Sequence, residues 1–289
     1  MLLEADFRAR LERMALRSHR RVRGVWAGGH ASTQRGESLD FADYREYTPG
    51  DDFRRIDHTL WARLGVVLVR LFEAEDELPI RLVVDRSLSM DFGDKLRVAQ
   101  RLAGMIGFLG LAAGDRVLPF RTPGDRGAPF DSRPALRHLS SWPALEEWLE
   151  VTPPAGEAHL AATARYLAGQ GATKGPAVII SDFLGEGLID SLDTFGVVGG
   201  GVVLHVLAPD ELDPVVSGDL RLVDAETGQE VNVSTTPETM KQYRAAVDGF
   251  VESVASRARR NGMDCVLVPA VAEAHELVLA ELSRIQLVR

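Results

Sequence analysis

Asp85, Ser87 and Ser89 stand at alternate positions in the run Ile80-Arg-Leu-Val-Val-Asp85-Arg-Ser87-Leu-Ser89-Met90. An apolar strand here delivers a carboxylate at its end, and the hydroxyls that follow can turn toward one point above the sheet, where open α/β sheets bind ligands. A carboxylate with hydroxyls is a hard, oxygen-only set suited to Mg²⁺, an ion that keeps several waters and leaves room for a ligand from outside. A second apolar run, Ala177 to Ser181, ends in Asp182, which would add its carboxylate to the same crevice from a parallel neighbouring strand. A structural role fits the same residues, since Ser87 and Ser89 could equally cap the helix expected from about Asp94.

The elements that must position these groups are legible as short apolar runs alternating with helical periods, the pattern of a mostly parallel sheet with helices on both faces. Strands are expected at Ile80 to Val84, Arg116 to Phe120, Ala177 to Ser181, Val202 to Leu207 and Cys265 to Val268. Leu96, Ala99, Leu102, Ala103, Ile106 and Leu109 make one helical stripe, with Gly104, Gly107 and Gly110 allowing close approach to the sheet. Further helices are expected over Leu160 to Leu167, from the cap Thr236 and first-turn Pro237 through Val254, and from about Glu273 to Ile285. Leu220 to Val233 reads as a hairpin about Ala225-Glu226-Thr227-Gly228. Ahead of all this, Leu3, Phe7, Leu11 and Met14 share a helix face, residues 24–36 read as loop or irregular strand, and Val66 to Phe72 reads as a strand. The expected division is residues 1–75, an N-terminal helix with a charged segment, and residues 76–289, an α/β domain with the hairpin near 215–235.

Composition narrows the function. With 45% apolar and 26% charged side chains the chain can bury a sizeable core, and a net charge of −9 argues against general nucleic-acid affinity. Residues 1–70 carry 13 Arg against 10 acids, leaving −12 on the remaining 219 residues; this suits either a basic face meeting an acidic partner or a locally paired surface. The single cysteine, Cys265, excludes an internal disulfide and a cysteine zinc site and fits the cytoplasm. No export signal or membrane-spanning run is visible, the longest apolar stretch being Leu102 to Ala113. The glycines of Gly169 to Gly175 precede a strand, whereas a phosphate cradle follows one, and no zinc or serine hydrolase motif is present.

The D-x-S-x-S run resembles the metal-ion-dependent adhesion site of the von Willebrand factor A fold. That fold adds a threonine before a later helix. Here the stretch is Gly156-Glu157-Ala158-His159-Leu160, with Ala158 at the threonine position and Thr163 or His159 as substitutes. A more specific resemblance covers Leu39 through Arg63, with Arg45-Glu46-Tyr47-Thr-Pro49-Gly50-Asp51-Asp52-Phe-Arg54-Arg55-Ile56-Asp57-His58 at its centre. It is similar to the signature of a bacterial family of unknown function, domain of unknown function fifty-eight, that joins this segment to a von Willebrand factor A-like domain; the departure is His58, where the family has tryptophan. The resemblance implies a partner of MoxR-type AAA ATPases acting in assembly or maturation of other proteins, with Mg²⁺ on Asp85, Ser87, Ser89 and Asp182. In the signature, Arg45, Tyr47, Asp51, Asp52, Arg54 and Asp57 are the candidate partner-binding residues. Their charges could equally pair with one another and hold a turn. Two functions follow: a non-enzymatic protein-binding or scaffolding module, and a metal-dependent hydrolase using Asp85 and Asp182 with His159 as base.

Overall fold

The computed structural model describes residues 1–19, 41–49, 51, 53, 56–72, 79–122, 131–151, 153–169, 175–225 and 228–284. The chain divides into two compact units, Met1–Arg23 with Leu78–Arg289, and Gly24–Glu77. Helix α1 (Ala5–His19) thus belongs with the larger unit and not with the signature segment that follows it. The reason is burial. Leu3, Phe7, Leu11 and Ala15 lie in the core of the larger unit, and Arg10 forks onto Glu276 at 2.7 and 2.8 Å.

The smaller unit pairs β1 (Phe41–Glu46) antiparallel with β2 (Leu68–Phe72), with α2 (His58–Leu64) between them. Asp57 caps α2 by accepting from the Thr59 and Leu60 amides, and Gly65 closes it with φ 68°, a left-handed position that suits glycine.

In the larger unit, β3 (Pro79–Val84), β4 (Arg116–Arg121), β5 (Asp131–Ser132), β6 (Ala177–Ser181), β7 (Gly201–Leu207) and β10 (Met263–Pro269) form one sheet in the order β10-β7-β6-β3-β4-β5. All neighbours are parallel except β5, which closes the β4 edge antiparallel. The expected strands are therefore present, each within two residues of its reading. Side chains alternate between two cores, as strand geometry requires: Leu82, Val84, Ile180 and Leu204 on one face, Val83, Ile179 and Val203 on the other. Both faces are covered, which is why these strands read as continuous apolar runs.

The first face packs α1, α3 (Lys95–Ala112), α4 (Trp142–Glu150) and, beyond the hairpin, Ala274–Arg284; the second packs α5 (Leu160–Gly169), α6 (Ser191–Val198) and part of Pro237–Arg260. Of the α3 glycines, Gly110 faces the sheet, where a Cβ would lie 2.7 Å from Ile80 Cδ1. A Cβ on Gly107 would lie 2.5 Å from Leu145 Cδ2 of α4, so this glycine admits a helix, not the sheet.

After β7 the chain makes α7 (Pro209–Leu212), the hairpin β8 (Gly218–Val223) and β9 (Glu230–Thr235), α8 (Pro237–Arg260), and after β10 the last helix, α9 (Ala274–Arg284). Thr236 caps α8 as its sequence predicts, its hydroxyl accepting from the Thr239 amide. Of α8 only Val254 and Ala258 are fully buried; along the stripe from Met240 to Val251, Met240, Val247, Phe250 and Val251 are partly buried and Tyr243 is exposed. The expected loop over residues 24–36, Arg55, residues 171–174 of the glycine run, and Glu226 and Thr227 of the hairpin turn lie outside the described residues.

Candidate functional site

Strand order places the candidate crevice. The chain runs from β3 outward to β4, then crosses to β6 on the other side of β3, so the carboxyl ends of β3 and β6 flank the point where strand order reverses. Asp85 follows β3 and Asp182 follows β6, and both are fully buried. The Asp85 amide donates to Ile180 O at 2.9 Å, continuing the β3–β6 pairing through the site.

Every Asp85 oxygen has a protein donor. Oδ1 accepts from the Ser87 amide at 3.0 Å and from Thr122 Oγ1 at 2.9 Å, and Oδ2 accepts from Ser181 Oγ at 2.6 Å. Burial and the neighbouring Asp182 charge push the Asp85 pKa up, against the pull of these three bonds. Ser87 is buried and its hydroxyl lies 3.0 Å from that of Ser89. Neither serine caps α3. Asp94, the residue before the helix, holds φ 60° and makes no side-chain cap bond.

That left-handed turn delivers Lys95 into the crevice. Its side chain is fully buried, with Nζ 2.7 Å from Asp182 Oδ2 and 2.5 Å from Glu211 Oε1. The ammonium also sits 5.9 Å from the centroid of the Phe92 ring. Asp182 Oδ1 accepts from the Leu184 amide at 3.0 Å across Phe183, itself held at φ 54°. Glu211 comes from α7, where its Oε2 accepts from the Ala208 amide at 2.7 Å. Ala208 rests against Gly93, and this close approach brings α7 over Lys95.

The sequence reading identified Asp85, Ser87, Ser89 and Asp182, and the structure brings all of them to one end of the sheet. It missed Lys95, Thr122, Ser181 and Glu211. Thr163 lies inside α5, where its hydroxyl is 3.4 Å from His159 O, so it does not stand in for the threonine at Ala158. Among the described residues no group of three or more His, Cys, Asp or Glu is placed to hold a metal ion. The donor set does not fit a divalent ion: an ammonium occupies the place beside Asp182, both Asp85 oxygens are engaged, and the threonine position carries a methyl group.

Behind the crevice, His205 on β7 is fully buried, with Nε2 3.0 Å from Asp182 O and no partner at Nδ1. The Phe183 and Phe250 rings meet it edge-on at 5.8 and 5.2 Å. Burial lowers its pKa to about 4. Cys265 is half-buried in β10, and burial pushes its thiol up to about 11, far from a reactive thiolate.

The signature residues divide into two groups. Arg45 pairs with Asp51 at 2.8 Å and donates to Thr48 Oγ1 at 3.0 Å, while Asp51 Oδ2 accepts from the Thr48 amide and hydroxyl. The guanidinium and these hydrogen bonds hold Asp51 well below the usual carboxylate range. Asp57 is buried, capping α2 and accepting from Tyr44 OH at 2.9 Å. Tyr47, by contrast, is exposed, as are Phe53, Trp61 and Leu64. Asp52 and Arg54 lie outside the described residues.

The family described as "Protein of unknown function DUF58" matches residues 43–250. Uncharacterized proteins of Mycobacterium bovis and Mycobacterium tuberculosis are each 29% identical over 259 residues, covering 88% of this chain and 82% of their own length. Among solved structures, BatB of Bacteroides thetaiotaomicron is 17% identical at a TM-score of 0.44, over 72% of this chain and 98% of its own. An aerotolerance-related membrane protein of Bacteroides fragilis is 19% identical at 0.45, over 72% and 98%. A von Willebrand factor type A protein of Catenulispora acidiphila is 13% identical at 0.42, over 73% and 42%. Among the described residues, no helix is long and apolar enough to cross a membrane.

Proposed function

This chain belongs to the family of proteins of unknown function DUF58 and has a mostly parallel α/β sheet, and on that premise we propose that it is a von Willebrand factor A-like, non-enzymatic protein-binding module, a partner of a MoxR-type AAA ATPase in the assembly or maturation of other proteins. The supporting observation is the division of labour in the signature segment. Arg45, Asp51 and Asp57 spend their polar atoms within the segment, Arg45 and Asp51 holding the turn and the buried Asp57 capping α2. That leaves Tyr47, Phe53, Trp61 and Leu64 at the surface, and exposed aromatic groups beside arginine are the composition of interface cores. The crevice supports the non-enzymatic half of the reading. Asp85, Ser87, Lys95 and Asp182 are fully buried and engaged with protein partners, so none is presented as base or nucleophile to a substrate. A single, half-buried cysteine suits a reducing compartment, and we place the protein in the cytoplasm.

The test is capture of a MoxR-type ATPase by the purified chain, with and without Mg²⁺ and ATP, beside the double variant Phe53→Ala/Trp61→Ala. The wild type is expected to recover the ATPase, and the double variant to lose most of it at an unchanged thermal midpoint. Recovery of nothing under any condition, or equal recovery by both proteins, contradicts the reading.

A further inference from the structure

We infer that Lys95 is the resident cation of the crevice and Glu211 its resident carboxylate, so that one chain holds both halves of an ion–carboxylate contact and needs no divalent metal. The inference stands independently of the ATPase reading. It rests on placement: the ammonium is fully buried between a fully buried carboxylate at 2.7 Å and a second, part-exposed one at 2.5 Å. A divalent ion beside Asp182 would have to displace that ammonium from its fully buried partner, leaving the part-exposed Glu211 alone to offset the cost of a buried charge.

The two carboxylates differ in how they are held. Asp182 is anchored in the sheet, its other oxygen taken by the Leu184 amide. Glu211 rides on the four-residue α7, which among the described residues is tied to α8 through exposed contacts, Tyr243 OH to Glu211 O at 2.7 Å and Arg244 to Asp213 at 2.8 Å. Glu211 is the outer ligand, and a carboxylate from outside the chain takes its place when α7 moves away. The binding chemistry of the opened site is that of a buried ammonium: a single carboxylate, such as an acidic side chain or a chain terminus.

The full-length protein tests this by thermal midpoint. In the wild type, EDTA and millimolar Mg²⁺ or Mn²⁺ are expected to give the same midpoint. A metal-dependent rise that disappears in both Asp85→Ala and Asp182→Ala overturns the inference without any variant at Lys95. In Glu211→Ala the outer position is open, and acetate is expected to raise the midpoint by about 3 °C over chloride at equal ionic strength, while wild type responds equally to both. Equal response to acetate and chloride in Glu211→Ala overturns the assignment of Glu211 as a replaceable ligand.

Discussion

Lys95 Nζ lies 2.7 Å from Asp182 Oδ2, with both side chains fully buried, at the end of the sheet where a divalent cation is the expected occupant. The pair joins the first residue of α3 to the end of β6, 87 positions apart in sequence.

Breaking that pair from one side leaves an uncompensated carboxylate in the interior. Lys95→Met is expected to cost about 3–5 kcal/mol in urea unfolding, whereas Lys95→Met/Asp182→Asn recovers part of the loss, because a neutral amide is less costly to bury than a lone charge. A double-variant loss equal to the sum of the separate Lys95→Met and Asp182→Asn losses would show that the two groups are not coupled.

His205 makes stability depend on pH. Its pKa falls from 6.5 in the unfolded chain to about 4 in the native protein, so between those values the unfolded chain holds a proton that the native state refuses. Stability from this group is therefore fully present above about pH 6.5 and is lost as pH falls toward 4, by on the order of 3 kcal/mol. Asp85, with its raised pKa, acts in the opposite sense, so the comparison is wild type against His205→Gln. The variant is expected to show a flatter profile across this window, and parallel profiles would remove His205 as the cause.

Gly93→Ala tests how α7 reaches the crevice. The added Cβ would collide with Ala208 at a residue already held at φ 59°. The variant is expected to lose about 1–3 kcal/mol and to expose the Lys95 amine to amine-directed labelling. The chain has 3 lysines against 30 arginines, so peptide mapping isolates this one cleanly.

In the signature segment, Asp57→Ala removes both the α2 cap and the partner of Tyr44 OH. A stability loss of about 1–2 kcal/mol is expected, with Asp57→Asn, which can still cap, losing less. If both substitutions leave stability unchanged, Asp57 is not holding the turn.

The sheet was legible because buried parallel strands leave apolar runs that end in acids, and Asp85 and Asp182 mark two such ends. What completes the site was not, because its parts come from elements with no common pattern. Thr122 follows β4, which ends in Arg121 and not in an acid, and Glu211 belongs to a single helical turn. Lys95 did leave a trace. A cation in the first turn of a helix opposes the helix dipole, and such a lysine in a chain that otherwise uses arginine points to carboxylates waiting above it. In the signature segment the charges were legible and their roles were not: whether Arg45 and Asp57 are spent within the segment depends on Thr48, Tyr44 and the α2 amides, which only the folded turn brings within reach. The helices α4 and α6 escaped notice because each is under ten residues, too short for periodicity to separate from loop.

The central claim, that the crevice carries its own cation, is tested most directly by titrating Mn²⁺ into the wild-type protein and following the free-ion signal by electron paramagnetic resonance. The account predicts that the signal is the same with and without protein at equimolar concentration. Stoichiometric loss of the signal, restored in both Asp85→Ala and Asp182→Ala, would contradict it and return the site to a divalent metal.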